Sequence, residues 1–279
     1  MTMLALDNLR RCFASVDELL GGLTGEQWAV PSLCPGWTVS CVVGHLGGVE
    51  HMLLGEEPGS MIESIPFAKV GEWTAAVEAL DDDAFLARYR DTIAARTAEL
   101  GSFTGEQLER PSLTPVGPGT YGRFLAVRVF DYWVHEQDMR VPLGLPGHES
   151  GPAAEMAIDE IHRSLPYIVG KLIALDDGMS ITFELTGPVQ RSMHLVVHGR
   201  AGLVETLDGA DVVVTADSTT FALLACGRID PQGALDAGRI TWSGPDEWGD
   251  RAVRNLNRAV PRVLLEVSVR HSWRVIRYG

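Results

Sequence analysis

The sequence has no apolar run close to the roughly 20 residues that a membrane-spanning helix needs. Its first residues, Met1 to Asp7, lack a basic region followed by an apolar one, so we expect no signal peptide. Basic residues are also scarce, with 23 lysines and arginines against 37 acidic residues and a net charge of −14. Because phosphate groups attract a basic surface, this balance argues against a nucleic acid or a membrane surface as partner.

Cysteine is rare as well. The four thiols, at Cys12, Cys34, Cys41 and Cys226, have neither the spacing of a cysteine metal site nor that of a disulfide framework. They predict a reduced, cytoplasmic protein with mostly buried structural thiols. The 279 residues, 46% of them hydrophobic, exceed one typical compact core and favour two domains.

The first half of the chain has the apolar periodicity of long helices. This pattern covers residues 3–21, a segment from Thr38 to about Leu54, and residues 73–100, where three aspartates at 81–83 could break it. Residues 55–71 are expected to form a long loop, and a second loop leads from Gly101 to a helix that contains residues 128–140.

A short segment of this half occurs twice. Residues 23–35 read LTGEQWAVPSLCP and residues 103–115 read FTGEQLERPSLTP, an offset of 80 residues without gaps. In each copy Thr-Gly-Glu-Gln is typical of a capping box that begins a helical turn. Because each copy lies between two long helices, the repeat predicts two related helical hairpins packed as a four-helix bundle.

The segment RVFDYWVHEQDMR, residues 128–140, holds the most informative spacing. Asp131 and His135 are four residues apart, which places them on one face of a helix. Burying both is costly unless a partner is present, and a divalent metal is one such partner. A helical Asp–His pair or an Arg128–Asp131 ion pair is the alternative. His45 lies on the equivalent helix of the first hairpin, and facing helices of a bundle can direct such ligands into one site.

Other residues near these positions have interpretations of their own. His51 follows His45 by six residues, roughly 240° around the helix, and should not share its face. Asp138 either orients a ligating imidazole or pairs with Arg140 at the surface. Trp37 is expected to pack within the bundle, and Cys34 and Cys41 to be buried structural thiols.

The second half predicts a different kind of domain. A Pro/Gly-rich linker at 141–150 precedes a helix over 151–173, and the pattern then alternates as in strands. We expect domains at residues 1–144 and 151–260; the pattern of the tail, 261–279, does not decide between strand and helix. The fold class is therefore α+β, with short strands at 180–185, 193–197, 203–205, 212–215 and 239–242 and helices at 221–226, begun by Ser218 or Thr219, and at 247–257.

Five segments of the chain carry a family resemblance. Residues 28–46 and 128–140 resemble the mycothiol-dependent maleylpyruvate isomerase family, and Gly187-Pro188, residues 225–230 and residues 237–240 resemble its C-terminal domain. The resemblance implies a DinB-like four-helix bundle followed by a smaller α/β domain similar to sterol-carrier modules.

The resemblance also implies a site. Its metal ligands, zinc or a similar divalent ion, would be His45, Asp131 and His135, and Arg228 or Arg239 would be the C-terminal arginine that reaches the active site. Mycothiol would be the thiol cofactor or cosubstrate. The family's isomerase has glutamate where this chain has Asp131; aspartate is one methylene shorter and can still ligate.

The function implied is the activation of a low-molecular-weight thiol. The thiolate adds to the conjugated cis double bond of a small electrophilic substrate, and rotation and elimination give the trans isomer. Transfer of the sulfur to an electrophile by a mycothiol S-transferase is a second possibility. A third is a non-catalytic small-molecule or lipid binding protein. The sequence leaves the substrate and the oligomeric state open.

Overall fold

The computed structural model describes residues 2–256, with only the backbone of Thr2. They form two compact units, one that extends to Gly147 and one that begins at His148. The predicted domain bounds, 1–144 and 151–260, stay a prediction, and the tail 261–279 lies outside the described residues. In residues 2–256, none of the helices combines the length and apolar character that crossing a bilayer requires.

The first unit is a bundle of four long helices. Of these, α1 packs against α5 and α7, and α3 packs against α5, α7 and the shorter α4, which confirms the predicted bundle. The elements in chain order are α1 (Thr2–Gly21), α2 (Gly25–Trp28), α3 (Val39–Leu53), α4 (Ala68–Val77), α5 (Asp82–Ser102), α6 (Gly105–Leu108), β1 (Pro111–Thr114), β2 (Gly117–Thr120) and α7 (Tyr121–Leu143).

The sequence repeat has the same local structure in both copies. The backbone N–H groups of Thr24 and Thr104 each donate to the side-chain oxygen of the glutamine three residues later, at 2.8 Å, and α2 and α6 follow. Pro31 then forms an antiparallel bridge with Thr38, and the β1–β2 hairpin occupies the same place in the second copy. The repeat thus builds two related connectors between long helices.

The predicted loops are only partly loops. Residues 55–71 already include the start of α4, and the segment after Gly101 contains α6 and the β1–β2 hairpin. The aspartates at 81–83 begin a helix, because Asp81 Oδ1 accepts the backbone N–H of Ala84 at 2.8 Å as the N-cap of α5. A carboxylate at this position satisfies a helical N–H that would otherwise lack a partner.

The second unit confirms the α+β class. Its five-stranded sheet has the order β5-β4-β3-β6-β7, in which β3 and β6 are parallel and the other neighbours antiparallel. The elements are α8 (Pro152–Tyr167), a π-helical turn (Ile168–Ile173), β3 (Ser180–Thr186), β4 (Arg191–His198), β5 (Arg200–Val204), β6 (Val212–Asp217), α9 (Ser218–Ala225), α10 (Pro231–Asp236), β7 (Ile240–Ser243) and α11 (Asp246–Asn255).

The alternation of buried and less buried residues along the strands shows which face of the sheet covers the core of this unit. Every second side chain of β4 and β6 is buried, as in a sheet with one covered face, and α9 and α11 pack on the central and edge strands. One prediction was wrong in detail, and one element was missed. Asp217, rather than Ser218 or Thr219, caps α9, accepting the N–H of Thr220 at 2.9 Å, and α10 was not predicted.

Candidate metal centre

The centre lies between α3 and α7, whose starts are fixed by threonine caps. Thr38 Oγ1 accepts the N–H of Cys41 at 3.3 Å, and Thr120 Oγ1 accepts that of Arg123 at 3.1 Å. Every residue from 127 to 140 on α7 is buried. A helix buried on all sides is usually apolar, yet this segment carries several ionisable groups, so each requires a polar partner.

Three of those groups converge from the two helices. His45 Nε2 on α3 lies 3.3 Å from Asp131 Oδ2, and His135 Nε2 lies 3.5 Å from Asp131 Oδ1. The two imidazole rings contact each other edge to face, with centroids 4.7 Å apart. All three ligand atoms lie within 4.8 Å of one another, and each residue is less than a tenth exposed. The structure therefore brings together the three residues proposed from the sequence.

The opposite nitrogen of His135 has its own acid. His135 Nδ1 is 2.9 Å from Asp138 Oδ2, and the Cys34 thiol donates to the same oxygen at 3.0 Å. Because a carboxylate accepts hydrogen bonds, this contact places the imidazole proton on Nδ1 and directs the Nε2 lone pair towards Asp131. Asp138 thus contacts the His135 imidazole, and its role in orienting a metal ligand stays a prediction. The alternative, a surface pair with Arg140, is wrong, because Asp138 is buried and Arg140 bonds to Glu136.

Cys34, His135 and Asp138 form a second group of possible metal donors. In this group the Cys34 sulfur is 3.6 Å from His135 Nδ1. The Cys34 thiol and the His135 imidazole both have Asp138 as a hydrogen-bond partner. An ion here would also displace the Nδ1 proton, so one imidazole could serve both groups only by losing both ring protons. The group of His45, Asp131 and His135 is therefore the better metal site.

Sequence reasoning missed how close the connector comes to this centre. The backbone N–H of Leu33 donates to the carbonyl of Asp138 at 3.0 Å, which brings Cys34 beside His135. Trp37 then stacks on the His135 ring, with centroids 6.0 Å apart and planes 18° apart, and lies 5.6 Å from the His45 ring. The sequence predicts bundle packing for Trp37 and a buried structural thiol for Cys34, but it does not predict that both approach the imidazoles.

The ion pair considered as an alternative is present too. Arg128 Nη1 donates to Asp131 Oδ2, while its Nε and Nη2 atoms donate to Glu50 Oε1 at 3.1 and 2.9 Å. Glu50 Oε2 accepts from Arg96 Nε at 3.2 Å, so the charges continue through α3 to α5. The side chains of Glu50 and Arg96 are fully buried. Neither residue was predicted.

These surroundings set the protonation of the centre. Burial lowers the pKa of His45 below its ordinary value despite the nearby Asp131 carboxylate. Burial alone would raise the pKa of Asp131, but Arg128, His135 and His45 together hold it well below its usual range. At neutral pH the centre thus contains an ionised carboxylate and a neutral imidazole at His45, which are the forms that bind metal ions.

Family comparisons agree with this architecture. Residues 9–140 match the family model of the mycothiol maleylpyruvate isomerase N-terminal domain, and residues 155–253 match the MDMPI C-terminal domain. The chain belongs to the mycothiol-dependent maleylpyruvate isomerase family. The two family domains cover most of the chain, in the order that the resemblance predicted.

Solved structures with this fold are distant relatives in sequence. The chain is similar to a crystal structure of the mycothiol-dependent maleylpyruvate isomerase, with 17% identity, a TM-score of 0.53 and coverage of 87% of this chain and 93% of that one. A histidine-to-alanine mutant of that isomerase gives 16% identity, a TM-score of 0.55 and the same coverage. These likenesses show the fold. No curated protein matches the sequence.

The remaining predicted residues lie elsewhere in the two units. His51, near the end of α3, is half-buried outside the group of His45, Asp131 and His135. Arg228 follows α9 and donates from Nη1 to the Cys226 carbonyl at 3.4 Å, and Arg239, just before β7, is exposed. The catalytic role of either arginine stays a prediction.

Proposed function

We propose that this chain is a mycothiol-dependent enzyme that uses a divalent metal, most simply zinc, to activate a thiol for cis–trans isomerisation of a maleylpyruvate-like substrate. His45, Asp131 and His135 would hold the ion. The observation that carries the proposal is the convergence of these three side chains from α3 and α7 at one buried point. Membership of the family supports the thiol and the substrate class.

The donor set fits such an ion. Zinc binds imidazole nitrogen and carboxylate oxygen at about 2.0–2.2 Å, so two ligand atoms on one tetrahedral ion lie about 3.3 Å apart. Asp131 Oδ2 is 3.3 Å from His45 Nε2 and Asp131 Oδ1 is 3.5 Å from His135 Nε2, and one ligand atom from each of the three residues lies within 4.8 Å of the other two. Three protein ligands leave one coordination position available, which is the arrangement of a catalytic zinc site.

When bound, such an ion lowers the pKa of a thiol that coordinates it, and the thiolate is the nucleophile that the isomerisation needs. The protein's own groups set the orientation and protonation of the ligands. Asp138 keeps the His135 proton on Nδ1 and its Nε2 atom available, and the lowered pKa of His45 keeps that imidazole neutral. Trp37 covers the His135 ring and limits the access of water on that side.

The test begins with stepwise binding. The metal-free protein is titrated with zinc and then with mycothiol while its thermal unfolding is followed. A ligand at 100 times its Kd stabilises the folded state by about 2.7 kcal/mol, so each addition should raise the Tm. A protein whose Tm responds to neither zinc nor mycothiol would contradict the proposal.

Turnover then identifies the reaction. His135→Ala should abolish mycothiol-dependent conversion of maleylpyruvate, because it removes a ligand. His51→Ala, a change of the same kind outside the donor group, should keep wild-type activity. A trans product with the thiol regenerated indicates isomerisation, whereas one thiol consumed per product indicates S-transfer. Unchanged activity in His135→Ala would refute the proposed centre.

A further inference from the structure

The buried charges behind Asp131 form a continuous chain across three helices. Glu50 lies on α3, five residues after His45, and binds Arg128 on α7 through Oε1 at 2.9 and 3.1 Å. Arg128 in turn holds Asp131 Oδ2. The same two helices therefore supply the donor atoms of the centre and, one turn further, a salt bridge that locks them together.

The donors of the Arg128 guanidinium are divided between two acids. Nε and Nη2 point to Glu50 and Nη1 points to Asp131, and the guanidinium carbon lies 5.2 Å from the centre of the Tyr132 ring. A planar guanidinium held on three sides in this way has little freedom to rotate. Its contact with Asp131 therefore fixes the position of Oδ2.

The two oxygens of Asp131 have different partners. Oδ2 accepts from Arg128 and also lies 3.3 Å from His45 Nε2, while Oδ1 faces His135 Nε2 at 3.5 Å and receives no hydrogen bond from the arginine. The short side chain of aspartate has one rotatable bond fewer than glutamate, so an arginine on one oxygen determines where the other lies. Glu50 is required as well, because without it the buried guanidinium would depend for its pairing on Asp131, the carboxylate that is to bind the cation.

We propose that Glu50 and Arg128 are positioning residues that reserve one oxygen of Asp131 for the metal ion and make this aspartate a single-oxygen ligand. The inference rests on the proposed metal site. It adds that the ion pair and the metal site, which the sequence presented as alternatives, are parts of one device. Hydrogen bonds to ligating groups commonly change metal affinity by about 10–100-fold.

The chain offers a matched pair of substitutions for the test. Glu50→Gln and Glu99→Gln make the same chemical change at two acids that bind the same arginine, Arg96. Only Glu50 also reaches Arg128. We expect Glu50→Gln to weaken zinc binding about 10–100-fold in competition with a chelator, and Glu99→Gln to bind zinc as the wild type does. Arg128→Lys keeps the charge but loses the fork, so it should also weaken binding.

Each outcome decides a separate question. Zinc bound by the wild type, with equal affinity in Glu50→Gln and Arg128→Lys, would overturn this inference and leave the proposed function standing. A wild type that binds no zinc would overturn both. A crystal structure of the zinc-loaded wild type tests the inference even where a variant fails to fold. We expect Arg128 on one oxygen of Asp131 and zinc on the other, and zinc on both oxygens would refute the inference.

Discussion

The two helical hairpins of the first unit have similar connectors but different second helices. In each, a Thr–Gln contact begins a short helix, a two-strand contact follows, and a threonine caps the second long helix. The second helices then diverge. Most of α3 is apolar or glycine around His45 and Glu50, whereas α7 buries six acidic, basic or histidine side chains between residues 128 and 140. The repeat explains why α3 and α7 occupy equivalent places, and their different sequences explain which polar side chains lie between them.

The largest effect on stability is expected for the salt bridges that join the hairpins. Arg128→Met removes the partner of two buried acids, Glu50 and Asp131, and we expect it to lower the free energy of unfolding of the metal-free protein by about 3–5 kcal/mol. Arg90→Met breaks the exposed pair with Asp17, which also joins the hairpins at 2.6 Å, and should cost about 0.2–1 kcal/mol. Denaturant unfolding measures both. Equal losses would mean that the buried network has no special role in joining the hairpins.

A smaller effect is expected where α3 approaches α4. A Cβ atom added at Gly47 would lie 2.5 Å from Cη2 of Trp73, a buried ring whose Nε1 donates to Thr92. Because that ring cannot move aside, Gly47→Ala should destabilise the protein by about 1–3 kcal/mol in spite of the better helix propensity of alanine.

Gly105→Ala is the control in the other hairpin. Nothing lies within 4 Å of a Cβ atom added there, and this substitution should change the stability by less than about 0.5 kcal/mol. A Gly47→Ala protein as stable as Gly105→Ala would show that α3 and α4 can separate without cost.

The smallest effect should be the same in both hairpins. Thr38→Ala and Thr120→Ala each remove one helix cap of similar geometry, and each should cost about 1 kcal/mol, measured as a shift of the denaturant midpoint at constant m-value. Serine at either position should restore most of the loss because it keeps the oxygen. A loss at only one of the two threonines would show that the likeness of the two hairpins does not extend to how their second helices are stabilised.

The same contrast explains how much the sequence could predict. Helices α1 and α3 follow from apolar periodicity, and the hairpin pairing follows from the repeat, because both signals are local or copied. The β1–β2 hairpin and α10 were missed because short elements rich in proline and glycine carry little periodicity.

Within the centre, the sequence reached the residues that helix geometry relates. Asp131 and His135 share a face by spacing, and His45 follows from the equivalent position of α3. Glu50 and Trp37 were not found, since their roles depend on contacts between segments far apart in the chain. Trp37 is brought over the imidazoles by the connector that Leu33 attaches to α7. The spacing of residues in the sequence does not indicate a contact of this kind.

The central claim is that α3 and α7 together hold one metal ion. Calorimetric titration of the metal-free protein with zinc, followed by the same titration of His45→Ala, tests it most directly, because His45 is the donor that comes from the other hairpin. The account predicts one zinc per wild-type chain and a Kd at least about 10-fold weaker without His45. Zinc binding that is unchanged in His45→Ala, or absent from the wild type, would contradict it.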